Sequence, residues 1–137
     1  MAGNYSVGLS TDGNVITARN ERGGEITIGT GQNGDFNPVE LLLAALGGCA
    51  AIDMSITSRK RRHDLGPFEI TVSGERAEDA RLERITVAYE LAENFTADDP
   101  EVQTAIRLTR DVLCTVSRTL EHGAEVTHLV VAGGEPT

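Results

Sequence analysis

The chain has 137 residues, the length of one domain at about 100–200 residues per domain. Twelve basic residues against 21 acidic ones give a net charge of −9, which repels phosphate backbones and argues against a nucleic-acid partner. With 39% hydrophobic residues, 4% aromatics and no Trp, the core must be aliphatic, and a base- or sugar-stacking platform is disfavoured.

No long apolar run occurs in residues 1–30, where Arg19, Glu21 and Arg22 interrupt any stretch resembling a leader. The longest uncharged run, Leu41–Ile52, is 12 residues, against the roughly 18–20 a membrane span requires. A soluble, cytoplasmic protein with no membrane partner is expected. In a reducing compartment its two cysteines are candidates for reactivity rather than for a permanent disulfide.

Val7–Ser10 and Val15–Ala18 flank the turn cluster Thr11-Asp12-Gly13-Asn14 and predict a hairpin. After Gly23-Gly24, the alternating Glu25–Ile28 predicts a third strand. Pro38, with Asn37 before it as a cap, opens the clearest helix, predicted to continue through Arg59–Arg62. From Leu41 to Ile52 that helix is apolar on every face, so it must be covered on every face. A chain this small cannot surround it alone, which predicts a homodimer. Phe68–Val72 and Ile85–Leu91 are the next strands, joined by a charged connection. A second helix is predicted from Asp98-Asp99-Pro100 to His122-Gly123, then a strand over Glu125–Val131 and a frayed tail from Ala132. The order βββ-α-ββ-α-β is an α+β fold in a single domain, 1–137.

Cys49 follows Gly47-Gly48 inside the apolar helix. Two helical glycines cost about 1 kcal/mol each against Ala, so a close-passing chain or an approaching substrate must offset them. Cys49 itself reads either as a small buried hydrophobe or as a reactive thiol. On an unbroken second helix, Cys114 points away from the apolar stripe toward Arg107, Arg110 and Arg118, which favours its thiolate. The alternative is a half-exposed Cys on a solvated face. His63, His122 and His128 show no ligand spacing with the cysteines, so no metal and no cofactor are expected.

The run Asn37-Pro38-Val39-Glu40-Leu41-Leu42-Leu43-Ala44-Ala45-Leu46-Gly47-Gly48-Cys49 resembles the first Cys motif of the OsmC/Ohr family, and Cys114-Thr115-Val116-Ser117-Arg118-Thr119-Leu120 resembles its second. The resemblance implies an intertwined homodimer with long central helices packed between curved antiparallel sheets. It also implies a thiol peroxidase: Cys49 attacks an organic hydroperoxide, Cys114 resolves the sulfenic acid as a disulfide, and an external dithiol reduces it. The family's catalytic Glu directly follows the motif's Pro, a position that is Val39 here, with Glu40 one residue later. Thr115 stands where the second motif usually carries Pro. Such a pattern is more similar to the YhfA-like branch. The activating cation is expected from the N-terminal β region, as Arg19 or Arg22, with Glu40 orienting it. Two readings follow: a dithiol-dependent organic hydroperoxide reductase, or a non-catalytic dimer that binds a small apolar ligand or senses redox state.

Overall fold

The computed structural model describes residues 4–30, 33–132 and 135–136. The elements run β1 (Gly8–Thr11), β2 (Ile16–Arg19), β3 (Glu25–Ile28), α1 (Pro38–Lys60), β4 (Glu69–Arg76), β5 (Leu82–Glu90), α2 (Pro100–Leu108), a π-helical turn (Thr109–Leu113), α3 (Thr115–His122), β6 (Val131–Ala132) and β7 (Glu135–Pro136). The α+β class and the order up to the second helical region are as the sequence predicts.

The first three strands form an antiparallel sheet in the order β1-β2-β3. Its first turn is built by Asp12, whose carboxylate accepts the backbone N–H groups of Asn14 and Val15, with Gly13 at φ +94°. Asn20 organises the second turn in the same way, accepting from Arg22 and Gly24.

Reciprocal caps fix the start of α1. The Asn37 side chain accepts the Glu40 N–H at 2.8 Å, and the Glu40 carboxylate accepts the Asn37 N–H at 2.9 Å. The helix then runs 23 residues, ending two residues before Arg62, which takes φ +60°. Its length and its mean hydropathy of 1.7 match a membrane span, although its uncharged core is only 12 residues long. The single Asp53 that closes the uncharged run does little to lower the average over a longer window.

Two compact units divide the chain, residues 1–48 with 70–89, and residues 49–69 with 90–137; α1 runs through both. In the first unit, β4 and β5 pair as a hairpin whose Ile70 and Val72 meet α1 at Gly47. A Cβ at Gly47 would lie 3.0 Å from Val72 Cγ2, so this glycine lets the strand approach. Gly48 has open space around it. In the second unit, Ala50, Met54, Leu65, Val102, Ala105 and Cys114 form the buried apolar core, with Met54 and Cys114 wholly inaccessible.

Two expectations are corrected. The second helix is not continuous: α2 passes into the π-helical turn, and Cys114 then adopts an extended conformation (φ −77°, ψ 106°) before α3 begins. The strand expected over Glu125–Val131 is irregular chain until Val131, where a two-residue strand pairs with Glu135–Pro136. Val126, Leu129 and Val130 in that stretch are mostly exposed, so the segment buries no strand face. The frayed tail assigned from Ala132 overlaps residues 133, 134 and 137, which lie outside the described residues; the neighbouring Ala132 and Glu135 are register partners. As the sequence predicts, α1 is not surrounded within one chain: 17% of its most apolar 18-residue window is buried, and Ile52 is 61% exposed.

Candidate active site

Cys49 and Asp53 stand one helical turn apart on α1, so their side chains share a face. The Cys49 thiol lies 3.9 Å from Asp53 Oδ2. Cys114 is brought to the same place by the break in the second helical region. Its backbone N–H donates to the Thr109 carbonyl five residues back, closing the π-helical turn. Its side chain is the N-cap of α3, with Sγ accepting the Ser117 N–H at 3.4 Å. The two sulfurs and a carboxylate oxygen of Asp53 all lie within 4.8 Å of one another. The cysteines are free. Side-chain rotation must therefore close the sulfur gap to about 2.05 Å for a disulfide to form.

The arginine face expected for Cys114 does not exist. That expectation assumed an unbroken 100° per residue, and the π-helical turn and extended cap redirect the side chain inward. Arg110 is paired with Asp111 at 2.8 Å, and the Arg118 guanidinium donates to the Asp111 carbonyl. Cys114 is instead fully buried. Burial pushes its thiol up to about 11, reinforced by its interaction with the Cys49 thiol and by the negative charge of Asp53; the Ser117 N–H pulls the other way and loses. Cys114 is thus a protonated thiol at neutral pH, and Cys49 is the half-exposed member of the pair.

Of the remaining predicted site residues, the side chains of Arg19 and Glu40 are held by visible contacts. Arg19 donates to Glu25 at 2.9 Å and to Ser10 on the exposed strands. Arg22 occupies the β2–β3 turn, and its guanidinium has no partner among the described residues. Glu40 spends one carboxylate oxygen on the α1 cap. Asp53 is a neighbour of both cysteines that is not among the expected site residues, although its place at i+4 is one that would disfavour the Cys49 thiolate. Its i+4 spacing from Cys49 was the available signal, but nothing in the sequence places Cys114 beside both.

Near these helices, the second unit clamps the end of α1 to the start of α2. Arg61 makes a two-pronged pair with Glu101, and His63 bonds Asp99 at 2.9 Å while packing edge-on against Phe95. Asp99 also caps α2 through the Glu101 N–H, and its contact with His63 holds its carboxyl below the usual range.

A family model described as OsmC-like protein matches residues 30–129. The chain belongs to the OsmC-like family. Protein YhfA of Escherichia coli strain K12 is 33% identical over 101 residues, which cover 72% of this chain and 75% of that protein. Among solved structures, an OsmC-like protein from Mycoplasma pneumoniae matches with a TM-score of 0.73 at 19% identity, covering 88% of this chain and 89% of that one. A hypothetical protein from Aquifex aeolicus VF5 matches at 0.71 and 24% identity, with the same coverage. In this chain one cysteine lies on the long helix and the other at the break between α2 and α3.

Proposed function

We propose that this OsmC-like chain, working as one domain, is a dithiol-dependent organic hydroperoxide reductase of the cytoplasm. The observation that carries the reading is the meeting of Cys49 and Cys114 within 4.8 Å, one half-exposed and one buried. Cys49 is accessible to substrate, so its thiolate attacks the peroxide oxygen. The O–O bond breaks, Cys49 becomes a sulfenic acid, and the alkoxide leaves as the alcohol after taking a proton. The Cys114 thiol then condenses with the sulfenic acid, releasing water and forming the disulfide. An external dithiol reduces that disulfide by exchange, becoming a disulfide itself.

Asp53 takes a part that Val39 cannot. It touches the Cys49 sulfur, so it accepts the thiol proton and returns it to the leaving alkoxide. A cation is still needed to favour the thiolate beside that carboxylate. Arg19 or Arg22 fills this role in our reading, and Arg22 is the one whose guanidinium is uncommitted. Glu40 is retained as an orienting group through the oxygen its cap leaves over.

The active unit in this reading is a homodimer. Leu42, Ile52 and Ile56 on α1 are 39–61% exposed in one chain, which suits cover by a second copy. The rival reading, binding of a small apolar ligand, is favoured by one feature of the first unit. A groove of about 330 Å³ is lined by Leu43, Ala44, Gly47, Gly48, Ile70 and Val72, with Glu40 at its edge.

The test is turnover of an organic hydroperoxide with a small dithiol as reductant. Wild type is expected to turn over repeatedly. Cys49→Ser should abolish consumption, and Cys114→Ser should permit a single turnover and leave a trappable sulfenic acid. Full activity in Cys49→Ser would overturn the mechanism and favour the ligand-binding reading.

A further inference from the structure

We propose that, in the reduced protein, Cys49, Asp53 and Cys114 form a binding site for a thiophilic divalent cation such as Zn²⁺. The sequence carries no metal-ligand spacing and predicts no metal, because the third ligand lies 61 residues beyond Asp53 and meets the others only where the second helical region breaks. The fold supplies what the spacing lacks: two sulfurs and a carboxylate oxygen within 4.8 Å of one another.

The donor set suits zinc. Zn–S bonds of about 2.3 Å and Zn–O bonds of about 2.0–2.2 Å put tetrahedral ligands roughly 3.5–3.8 Å apart. The Cys49–Asp53 separation, 3.9 Å, is already close to that. Three protein ligands leave the fourth position to water, the open arrangement of zinc sites that are not purely structural.

Electrostatics favour a cation as well. Among the described residues, no Lys, Arg or His donates a hydrogen bond to any of the three ligand atoms. His63 is committed to Asp99. Asp53 brings a carboxylate to within 3.9 Å of the Cys49 sulfur, and a divalent ion between them would complement its charge. Both cysteines would bind the ion as thiolates, so metal and protons compete for the same sulfurs. Cys49, half-exposed, gives the ion its way in.

The inference uses the same side chains as the peroxidase reading but does not rest on peroxide chemistry. A metal-loaded pair cannot form the disulfide, so the two states compete. The test uses reduced, metal-stripped protein. One Zn²⁺ per chain should bind in competition with a chromophoric chelator. Co²⁺ in its place should show thiolate-to-cobalt charge-transfer absorption of two-thiolate intensity. Asp53→Asn should weaken Zn²⁺ binding at least tenfold and keep that absorption. Cys114→Ser should halve it and weaken binding further. In case Cys114→Ser does not fold, alkylation of wild type gives a second reading: Zn²⁺ should slow modification of both cysteines at least tenfold. Absence of charge transfer, single-thiolate intensity in wild type, or unprotected cysteines would overturn the site. None of these readings depends on peroxide turnover, so failure of the site and failure of the peroxidase reading are distinguishable.

Discussion

The two helical regions that carry the cysteines solve opposite problems. α1 is one unbroken rod of 23 residues whose apolar side chains remain substantially exposed within the chain. The second region is interrupted twice in the space of six residues, by a π-helical turn and by the extended Cys114, and the interruption buries a single side chain completely. The difference teaches that a continuous helix fixes where a residue points, whereas a broken one decides it by where the break falls. Cys49 stays half-exposed on the rod, while Cys114 is turned from an arginine face into the core.

The sharpest way to break this contrast is chemical. With its thiol pushed up to about 11, Cys114 is ionised at pH 7 in only about one molecule in 10⁴, and it is inaccessible as well. Iodoacetamide should therefore modify Cys49 at least roughly a hundredfold faster than Cys114, as read by mass spectrometry of the two peptides. Equal rates would show that Cys114 is not buried in solution.

Core substitutions address the same contrast through stability. Met54 is fully buried, and Met54→Ala should cost about 2–5 kcal/mol in denaturant unfolding. Ile52, two residues away and 61% exposed, should cost less than about 1 kcal/mol as Ala if only one chain is involved. A larger cost that grows with protein concentration would show that a second copy covers it.

The pH dependence of stability follows from Cys114. Its thiol ionises at about 11 in the fold but at roughly 8.5–9 in the unfolded chain. The unfolded state therefore loses its proton first as pH rises. The contribution of the buried thiol is fully present below pH about 8.5 and is lost as pH climbs through about 11. The melting temperature should fall by several degrees across that window, and Cys114→Ala should flatten the fall.

The smallest effects belong to the start of α1. Asn37→Ala removes a capping side chain and should cost about 1 kcal/mol. Glu40→Gln should cost only a few tenths, because glutamine can accept the same Asn37 N–H. Calorimetry of the two variants checks the pair.

What could be read from the sequence follows the range of the interactions. Pro38 after a capping Asn marked the start of α1, and the β3 strand Glu25–Ile28 was legible from alternation alone. Both depend on neighbours in the chain. A break near Thr115 was conceivable but carried no marker, because Thr109 to Leu113 contains no Pro or Gly. The same hidden break concealed the partnership of Asp53 with two thiols, since only the broken helix brings the distant Cys114 to that face. Residues 125–130 misled in the other direction: Val126, Leu129 and Val130 suggest a strand, but the segment is irregular chain with those side chains mostly exposed.

The central claim is that Cys49 and Cys114 act as one redox pair. Free thiols should be counted, and peptides mapped, after the reduced protein has met one equivalent of an organic hydroperoxide. The account predicts that both thiols disappear together and that a single peptide pair links Cys49 to Cys114 within one chain. Loss of one thiol alone, loss of neither, or a disulfide between chains would contradict it.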